Sequence, residues 1–370
     1  MKKKILYISG TRADYGLMKT ALLAVNKNPG LKLEIVATGM HLMKEFGNTI
    51  FEIKKDGFKI CRINATYEKD NKESMASFIG KFICLLSEKI KKIMPDIILV
   101  MGDRAEMLAG AVAGAYLGIP VVHIHGGEVS STVDDSVRNA ITKLADFHLP
   151  ATKKSADRII KMGEEKSRVI VVGAPGLEES LKSKLSKQEI IKKYKIDSEK
   201  PLLMVAQHPV SEETKAAGWQ AKQTMEAVKE LKHQAVVIYP NADTGGREMI
   251  KIIEKYRRFP FIKIFKSIPR NDFLGLMKMA SVLAGNSSAG MIEAASFNLP
   301  VINIGIRQKG RERGNNVFDI GHDKKTIKKA IEKAVKAKSK KYKNPYFVKG
   351  TGKKIVDVLK NIKIDKKTLH

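Results

Sequence analysis

Cysteine, tryptophan and long apolar runs are scarce in this chain of 370 residues, which holds two cysteines and one tryptophan. Cys61 and Cys84 have neither the spacing of a metal site nor the density of a disulfide framework, so we interpret them as core thiols of a cytoplasmic protein. No run of about 18 apolar residues is present, and we expect no membrane span. The basic start is followed by an apolar run too short for a signal peptide.

Acidic and aromatic residues are few beside the basic ones. Lysine and arginine total 68 against 39 aspartate and glutamate, a formal net charge of +29, and aromatic residues make up 6%. Such a charge fits a polyanionic ligand, which could be nucleic acid, acidic lipid or a phosphorylated substrate. No nucleic-acid-binding module or stacking aromatic motif accompanies it. We attribute the excess to a lysine-rich proteome and expect neither nucleic acid nor membrane as a partner; a basic nucleic-acid-binding protein is the alternative from another class.

Two phosphate-binding fingerprints are missing. No Gly-x-Gly-x-x-Gly follows the first apolar run, which argues against a dinucleotide cofactor, and no Gly-Lys-Ser/Thr run supports ATP hydrolysis. His123 and His125 lie in an apparent strand with side chains on one face, where Asp103 could join them, but no third-ligand pattern is compelling. We therefore expect neither a cofactor nor a metal ion.

What the chain does contain is a repeated alternation of short apolar runs and helical patterns. Five apolar runs lie between residues 4 and 172, and five more lie between residues 201 and 304. Continuous apolar strands separated by helices predict parallel sheets covered on both faces. We predict an α/β protein with two doubly wound domains, 1–180 and 181–345, and a final helix in 346–370 that packs back on the first domain. Ligands bind at the carboxyl ends of such strands, so we expect the active site in the cleft between the domains.

A turn rich in glycine and serine stands out in the second half. Gly285 and Gly290 allow the backbone to turn and to approach a ligand closely, while Ser287 and Ser288 add hydroxyl donors at a helix start. Unpaired N–H groups at that start favour phosphate, although an ordinary helix cap is the alternative. In the first half, Arg12 follows the first strand and carries a planar donor fork suited to diphosphate.

Polar side chains follow nearly every predicted strand. In chain order they are Asp103, Arg104, Glu106, His123, His125, Glu128, Asp134, Asp135, Gln207, His208, Asn241, Asp243, Arg307 and Arg311. For Asp135 a helix cap is the better interpretation. For Arg104 and Glu106 a solvated helix face is an equal alternative, and His208 could be a satisfied core histidine.

Together these motifs resemble the UDP-N-acetylglucosamine 2-epimerase family. The matching motifs are Gly10-Thr-Arg-Ala-Asp-Tyr-Gly16, Gly102-Asp103-Arg104, Gly126-Gly-Glu128, Asp134-Asp135-Ser136 with Arg138, Gln207-His208-Pro209-Val210, Pro240-Asn241-Ala-Asp243, and Asn286-Ser-Ser-Ala-Gly290 through Glu293 to Arg307-Gln308 and Gly310-Arg311. The first motif is similar to the hydrolysing branch, which supplies N-acetylmannosamine or a related sugar for sialic-acid-like nonulosonates such as legionaminic acid. The resemblance implies a glycosyltransferase-B-type fold, two Rossmann-like domains with the substrate between them, and a homodimer.

The resemblance also implies roles for individual residues. Arg12, Ser287 and Ser288 would hold the diphosphate, and Glu293 would bind the ribose hydroxyls. The remaining nucleotide-binding positions would be Asn241, Gly290, Arg307 and Arg311, and the positions facing the sugar would be Asp103, Asp134 and His208. In several relatives a glutamate occupies the position of His125 and is thought to do acid/base work, so the identity of the base stays open.

The family reaction implies a mechanism that needs no cofactor. The C2 hydrogen of a nucleotide sugar is not acidic, but loss of the diphosphate makes it removable, so UDP is eliminated to a glycal and water is then added. We hypothesise that Asp103 and His125 form the acid/base pair and that His208 bridges sugar and phosphate. We predict a hydrolysing epimerase that releases UDP and N-acetylmannosamine, or the di-N-acetylated analogue. The alternatives are a non-hydrolysing epimerase and a retaining glycosyltransferase on the same fold.

Overall fold

The chain divides into two compact units in the computed structural model, which describes residues 2–66, 71–129, 133–178, 186–210, 212–241, 243–337 and 341–363. One unit comprises Met1–Glu128, Val133–Glu178 and Tyr346–His370, and the other comprises Val129–Thr132 and Glu179–Pro345. The predicted boundary between residues 180 and 181 lies outside the described residues. Among the helices of the described ranges, none is long and apolar enough to cross a membrane.

The first unit is built on six parallel strands. They are β1 (Lys3–Ser9), β2 (Leu31–Ala37), β3 (Ile60–Arg62), β4 (Ile97–Met101), β5 (Val121–Ile124) and β6 (Phe147–Leu149). Its helices are α1 (Arg12–Lys27), α2 (Ile50–Lys55), α3 (Lys72–Ile93), α4 (Ala105–Leu117), α5 (Val133–Leu144) and α6 (Lys153–Lys161). The strand order is β3-β2-β1-β4-β5-β6, and β4 is buried along its whole length, as its continuous apolar run predicts.

The second unit repeats this topology. Its strands are β7 (Leu202–Ala206), β8 (Gln234–Ile238), β9 (Ile262–Phe265), β10 (Val282–Gly285), β11 (Val301–Ile304) and β12 (Val317–Ile320). Its helices are α7 (Lys187–Tyr194), α8 (Ala217–Leu231), α9 (Gly246–Glu254), α10 (Arg270–Met279), α11 (Ser288–Ile292) and α12 (Lys324–Lys336). The order β9-β8-β7-β10-β11-β12 is that of the first sheet, with the third strand at one edge and the sixth at the other. Both units therefore have the doubly wound order of Rossmann-like domains.

A last helix, α13 (Thr351–Asn361), completes the first unit. Ile355 and Leu359 are fully buried in the core cluster that also contains Leu22 of α1. At the carboxyl end of α13, Lys3 Nζ donates to the carbonyl oxygens of Leu359 at 3.1 Å and Ile362 at 2.7 Å, which satisfies groups that a helix end leaves unpaired. The prediction that the final helix packs back on the first domain is confirmed.

The two cysteines are not both core thiols, so that interpretation was wrong. Cys84 lies on an exposed position of α3, and Cys61 in β3 is only half-buried. Neither forms a disulfide. Burial raises the pKa of the Cys61 thiol, which keeps it protonated near neutral pH.

Candidate active site

The turn after β1 places Arg12 at the first position of α1. Thr11 caps the helix: its Oγ1 accepts from the backbone N–H of Asp14 at 3.2 Å. The carboxylate of Asp14 in turn accepts from the backbone N–H groups of Gly10 at 3.1 Å and Thr11 at 2.7 Å. Burial raises the pKa of Asp14, while hydrogen bonds from Ser9 and Thr11 oppose that rise. This reciprocal cap fixes the backbone from which Arg12 projects.

Glu106 lies directly against this turn. Its side chain is 0% exposed, so the interpretation as a solvated helix face was wrong for this residue. A Cβ atom added at Gly10 would lie 2.3 Å from Glu106 Cδ, which means that only glycine fits beside the buried carboxyl group. Arg104 Nε donates to Glu106 Oε2 at 3.3 Å and offsets the cost of burying the charge.

Two buried histidines in the first unit are held neutral. His41 Nε2 lies 2.9 Å from Ser9 Oγ, and burial lowers the pKa of His41 to about 4. His123 Nε2 donates to the carbonyl oxygen of Gly102 at 2.8 Å, and burial lowers the pKa of His123 to about 3. His123 therefore braces the loop that carries Asp103. Among the side chains of the described ranges, no group of three or more His, Cys, Asp and Glu could hold a metal ion.

These two histidines predict an acid-sensitive first unit. Below the unfolded pKa of 6.5, the unfolded chain binds protons that folded His41 and His123 do not, so stability falls as the pH falls from about 6.5 toward 4. Between pH 7.5 and pH 5 we expect each histidine to lower the free energy of unfolding by about 2 kcal/mol. Urea denaturation followed by circular dichroism at the two pH values measures this loss. In His41→Gln the loss should shrink by about 2 kcal/mol, and an unchanged midpoint in the wild type would contradict the expectation.

The turn after β5 presents His125 next to Glu128. Because β5 ends at Ile124, the prediction that His125 lies in the strand was wrong; its φ of 61° is in the left-handed region. The turn returns on itself at Gly127, and His125 Nδ1 lies 2.6 Å from Glu128 Oε1. The imidazole stacks on the ring of Tyr346, with centroids 6.3 Å apart and planes 9° apart. His125 Nε2 is buried and has no hydrogen-bond partner among the described residues.

Arg138 connects this turn to the loop after β4. Its side chain is 1% exposed, and Nη1 donates to the carbonyl oxygen of Glu128 at 2.9 Å and to Asp135 Oδ1 at 2.7 Å, while Nη2 pairs with Asp103. The structure thus joins Asp103 to the His125 turn through a buried guanidinium. Asp135 lies in the first turn of α5, and because the residue before that helix lies outside the described ranges, its interpretation as part of a helix cap stays a prediction. Asp134 precedes it in the same turn and is half-buried.

The sequence analysis assigned no role to Arg138, although the pattern of apolar residues in α5 indicates one. Residues 138, 141 and 142 of α5 are buried, which places the arginine on the same stripe as Ile141 and Thr142. An arginine on the apolar stripe of an amphipathic helix needs buried anionic partners. Asp103 and Asp135 supply them.

In the second unit, Asn286 clamps His208 at the end of β7. The amide of Asn286 accepts from the backbone N–H of His208 at 2.6 Å and donates to its carbonyl oxygen at 2.9 Å. The backbone N–H of Asn241 donates to His208 Nδ1 at 3.0 Å, so the neutral ring carries its proton on Nε2. His208 is half-buried, unlike a core histidine. The clamp brings Asn241, which follows β8, beside His208.

The carbonyl oxygen of Asn286 also binds the loop after β11. Gln308 Nε2 donates to the carbonyl oxygen of Asn286 at 3.0 Å and Arg307 Nη1 does so at 3.4 Å, while Arg311 Nη1 donates to Gln308 Oε1 at 3.0 Å. Ser287, the next residue after Asn286, is the N-cap of α11 and accepts from the backbone N–H of Ala289 at 3.4 Å. Two guanidinium groups therefore lie in the same network as the Ser-Ser turn.

The glycines of this turn are required by their neighbours. At Gly285, φ is 128° and an added Cβ would lie 2.1 Å from the carbonyl oxygen of Ala206. At Gly290 an added Cβ would lie 2.8 Å from Val301. Ser288 begins α11 and, like Ser287, is half-buried. Close packing on β7 and β11 thus sets the direction in which the Ser-Ser turn faces.

Glu293 is paired with an arginine that the sequence reasoning missed. Its side chain is 2% exposed, and Arg270 donates to Oε2 through Nη1 at 2.9 Å and to Oε1 through Nη2. Arg270 begins α10 directly after Pro269, and nothing in its local sequence distinguishes it from a solvated helix start. Only the fold shows that α10 lies beside Glu293.

The predicted site residues follow neighbouring strands in each sheet. In the first unit Arg12, Asp103 and His125 follow β1, β4 and β5, which are adjacent. In the second unit the loops after β8, β7, β10 and β11, also adjacent, carry Asn241, His208, Ser287 with Ser288, and Arg307 with Arg311. Carboxyl strand ends of such sheets are where ligands bind.

Fold and strand-end side chains define a two-domain α/β protein of the Rossmann-like, glycosyltransferase-B type, as predicted. The sequence model of the UDP-N-acetylglucosamine 2-epimerase family matches residues 23–360. The chain belongs to this family.

Individual relatives agree with that assignment. UDP-N,N'-diacetylbacillosamine 2-epimerase (hydrolyzing) of Legionella pneumophila is 40% identical over 372 residues, covering 100% of this chain and 99% of its own. UDP-N-acetylglucosamine 2-epimerase of Neisseria meningitidis is 36% identical over 335 residues, 90% of this chain and 87% of its own. Among solved structures, UDP-GlcNAc 2-epimerase from Neisseria meningitidis bound to UDP-GlcNAc superposes with a TM-score of 0.80 at 19% identity, covering 96% of this chain and 99% of the other, which shows a common fold.

Proposed function

We propose that the protein is a hydrolysing 2-epimerase that converts a UDP-linked 2-acetamido sugar and water into UDP and the free 2-epimeric sugar. The observation that carries the proposal is the buried network in which Arg138 links Asp103 to the turn of His125 and Glu128. It offers a carboxylate and an imidazole at neighbouring strand ends, the two kinds of group that proton removal and return require. The relative from Legionella pneumophila, similar over its whole length, supports the hydrolysing branch.

The nucleotide is UDP, and two sugars come into question. One is N-acetylglucosamine, which would give N-acetylmannosamine. The other is its di-N-acetylated analogue, and the similarity to the UDP-N,N'-diacetylbacillosamine 2-epimerase of Legionella pneumophila supports it. Either product would feed the formation of a sialic-acid-like or legionaminic-acid-like sugar. We propose that the protein acts in the cytoplasm as a homodimer, for which family resemblance is the support and sedimentation velocity the test.

The diphosphate leaves with its charge stabilised by fixed donors. In the first unit, the capped turn before α1 holds Arg12 for this purpose. In the second unit, Ser287 and Ser288 with Arg307 and Arg311 provide hydroxyl and guanidinium donors, and Gly290 allows the turn. A single preorganised donor of this kind can contribute about 3 kcal/mol to the transition state. Asn241 and Glu293 bind the nucleoside, and binding requires Glu293 to share its carboxylate between Arg270 and the ribose.

Asp103, Asp134, His125 and His208 move protons. The base takes the hydrogen from C2 while the electron pair of that C–H bond forms the C1–C2 double bond and the C1–O bond breaks toward UDP. Water then adds its hydroxyl group to C1, and an acid returns a proton to C2 from the opposite face. His208, with its proton on Nε2, can donate to a phosphate or sugar oxygen.

An NMR time course in deuterated water tests the function. The protein is incubated with UDP-N-acetylglucosamine and, in parallel, with the di-N-acetylated UDP-sugar, and both sugar and UDP are followed. We expect one free 2-epimeric sugar carrying deuterium at C2, with UDP released in equal amount. A product that stays attached to UDP would assign the non-hydrolysing reaction, and transfer of the sugar to an added acceptor without deuterium at C2 would assign a glycosyltransferase.

A further inference from the structure

We propose that Glu128 is a positioning residue that holds His125 in the tautomer with its hydrogen on Nδ1, so that Nε2 is the proton acceptor at C2 of the substrate. The tautomer is a property of the folded protein by itself. Its catalytic consequence rests on the proposed function.

The short contact between the two side chains fixes the position of the hydrogen. His125 Nδ1 and Glu128 Oε1 are 2.6 Å apart, and the two side chains are 5% and 1% exposed. An ionised carboxylate can only accept a hydrogen bond, so Nδ1 must donate. In the neutral ring the lone pair then belongs to Nε2, the buried nitrogen that has no partner among the described residues.

The backbone is shaped to bring the pair together. His125 adopts a φ of 61°, which costs a non-glycine residue energy, and Gly127 follows with a φ of 72°. A Cβ at Gly127 would lie 2.2 Å from the carbonyl oxygen of Ser155, and Arg158 Nη1 donates to the carbonyl oxygen of Gly127 at 2.8 Å. These contacts with α6 hold the turn closed, so that Glu128 returns beneath the imidazole three residues after it.

Three further contacts hold the ring and the backbone on either side of it in place. Tyr346 covers one face of His125 in a nearly parallel stack. Arg138 holds the carbonyl oxygen of Glu128 at 2.9 Å, which anchors the carboxylate from its backbone side. The backbone N–H of His125 donates to the carbonyl oxygen of Leu149 at 3.2 Å. The imidazole is therefore fixed before any substrate arrives, as an efficient base requires.

The other histidines at these strand ends carry their hydrogen elsewhere. His123 donates from Nε2 to the carbonyl oxygen of Gly102, and His208 accepts at Nδ1 from Asn241. His125 thus has the reverse tautomer. A base oriented by a third group is the general arrangement for proton transfer, and the carboxylate also stabilises the imidazolium that forms when Nε2 takes the proton.

Nitrogen NMR of histidine-labelled protein observes the tautomer directly. In the wild type at pH 7.5 we expect the signals of His125 to show a protonated Nδ1 and a bare Nε2, with the assignment made by their loss in His125→Gln. In Glu128→Gln the amide can face Nδ1 with either its oxygen or its NH2 group, so the tautomer protonated on Nε2 should appear. For turnover of the UDP-sugar we expect Glu128→Gln to lower kcat about 100-fold, with KM changed less than about threefold.

A matched control is available in the same unit. Glu164 lies 3.2 Å from His148 Nε2, another pair of buried histidine and carboxylate. Glu164→Gln should leave kcat within about twofold and the His125 signals unchanged. A fall in kcat with nearly unchanged KM that occurs in Glu128→Gln but not in Glu164→Gln therefore indicates positioning of the base rather than a general loss of stability.

The possible results distinguish a failure of the role proposed for Glu128 from a failure of the proposed epimerase function. A proton on Nε2 in the wild type, or wild-type kcat in Glu128→Gln, would overturn the role of Glu128. If neither UDP-sugar reacts, the proposed function fails, and the wild-type tautomer still decides the positioning claim. That measurement needs no variant, so it also decides the matter should Glu128→Gln not fold.

Discussion

Asp103→Asn is expected to lower turnover of the UDP-sugar at least 100-fold, because a positioned acid or base contributes about 10²- to 10⁴-fold. Asp103 follows β4 and is ion-paired with the buried guanidinium of Arg138. Asparagine keeps the shape of the side chain but can neither take nor return a proton at neutral pH. The measurement is the initial rate of UDP release under saturating substrate, together with incorporation of deuterium at C2.

Asp135→Asn is the matched control for this prediction. It removes a second carboxylate paired with Arg138, 2.7 Å from Nη1, and so weakens the electrostatic environment of the arginine without removing Asp103. We expect it to lower turnover less than about tenfold. Equal losses in the two variants would mean that Asp103 acts only through Arg138, and a rate within about tenfold of wild type in Asp103→Asn would remove it from the acid/base pair.

Gly285→Ala is expected to destabilise the second unit by about 3 kcal/mol or more, since strain at a positive φ and a steric overlap each cost about 1–3 kcal/mol. The added methyl group would lie 2.1 Å from the carbonyl oxygen of Ala206 and 3.0 Å from the backbone N of Gln207. Backbone of the paired strand β7 cannot move aside without breaking its register with β10. Loss of the Ser-Ser turn should accompany the loss of stability.

Trp219 is the single tryptophan of the chain and lies in the second unit, so its fluorescence in urea reports unfolding of the unit that contains Gly285. Gly321→Ala serves as the comparison, because an added Cβ there meets nothing within 4 Å and the residue is exposed. Its free energy of unfolding should stay within about 0.5 kcal/mol of wild type. A Gly285→Ala protein as stable as Gly321→Ala would show that β7 and β10 tolerate the overlap.

The central strands of both sheets could be predicted from the sequence, as could the edge strand β9, but the other three edge strands could not. Each sheet was expected to have five strands, and the structure has six in each. The strands missed are β3, β6 and β12, all at sheet edges and only three or four residues long. An edge strand is covered on fewer sides, so β12 exposes Phe318 and Asp319 and shows no continuous apolar run.

The predicted strand at residues 169–172 was wrong for a related reason. The segment forms one isolated bridge, between Val169 and His148 in β6, and the backbone N–H groups of Ile170 and Val172 donate to the carbonyl oxygens of His148 at 2.9 Å and Pro150 at 3.1 Å, but no continuous strand forms. Val172 is buried in the same core cluster as α13. The run is apolar because it packs in the core with a helix from the far end of the chain, and such a run cannot be told from a strand by its sequence.

Site residues that stand directly after a strand could be predicted from the sequence. Site residues whose role depends on a partner far away in the sequence could not. Arg12, Asp103 and Ser287 stand directly after strands, and parallel sheets bring such positions to one edge. The ion pairs of Arg138 and Arg270 and the burial of Glu106 arise only where two elements distant in the sequence pack together. No local pattern could show that Glu293 is held by Arg270 or that Glu128 faces His125.

The first unit needs the last helix of the chain, and this has a consequence for its synthesis on the ribosome. Leu22 of α1 leaves the exit tunnel long before Leu359 of α13, with which it shares a core, and Tyr346, the ring that covers His125, also comes late. The second unit, continuous over Glu179–Pro345, is translated in between. At about 5–20 residues per second, the nascent first unit waits many seconds with that part of its core uncovered, while the second unit can already fold.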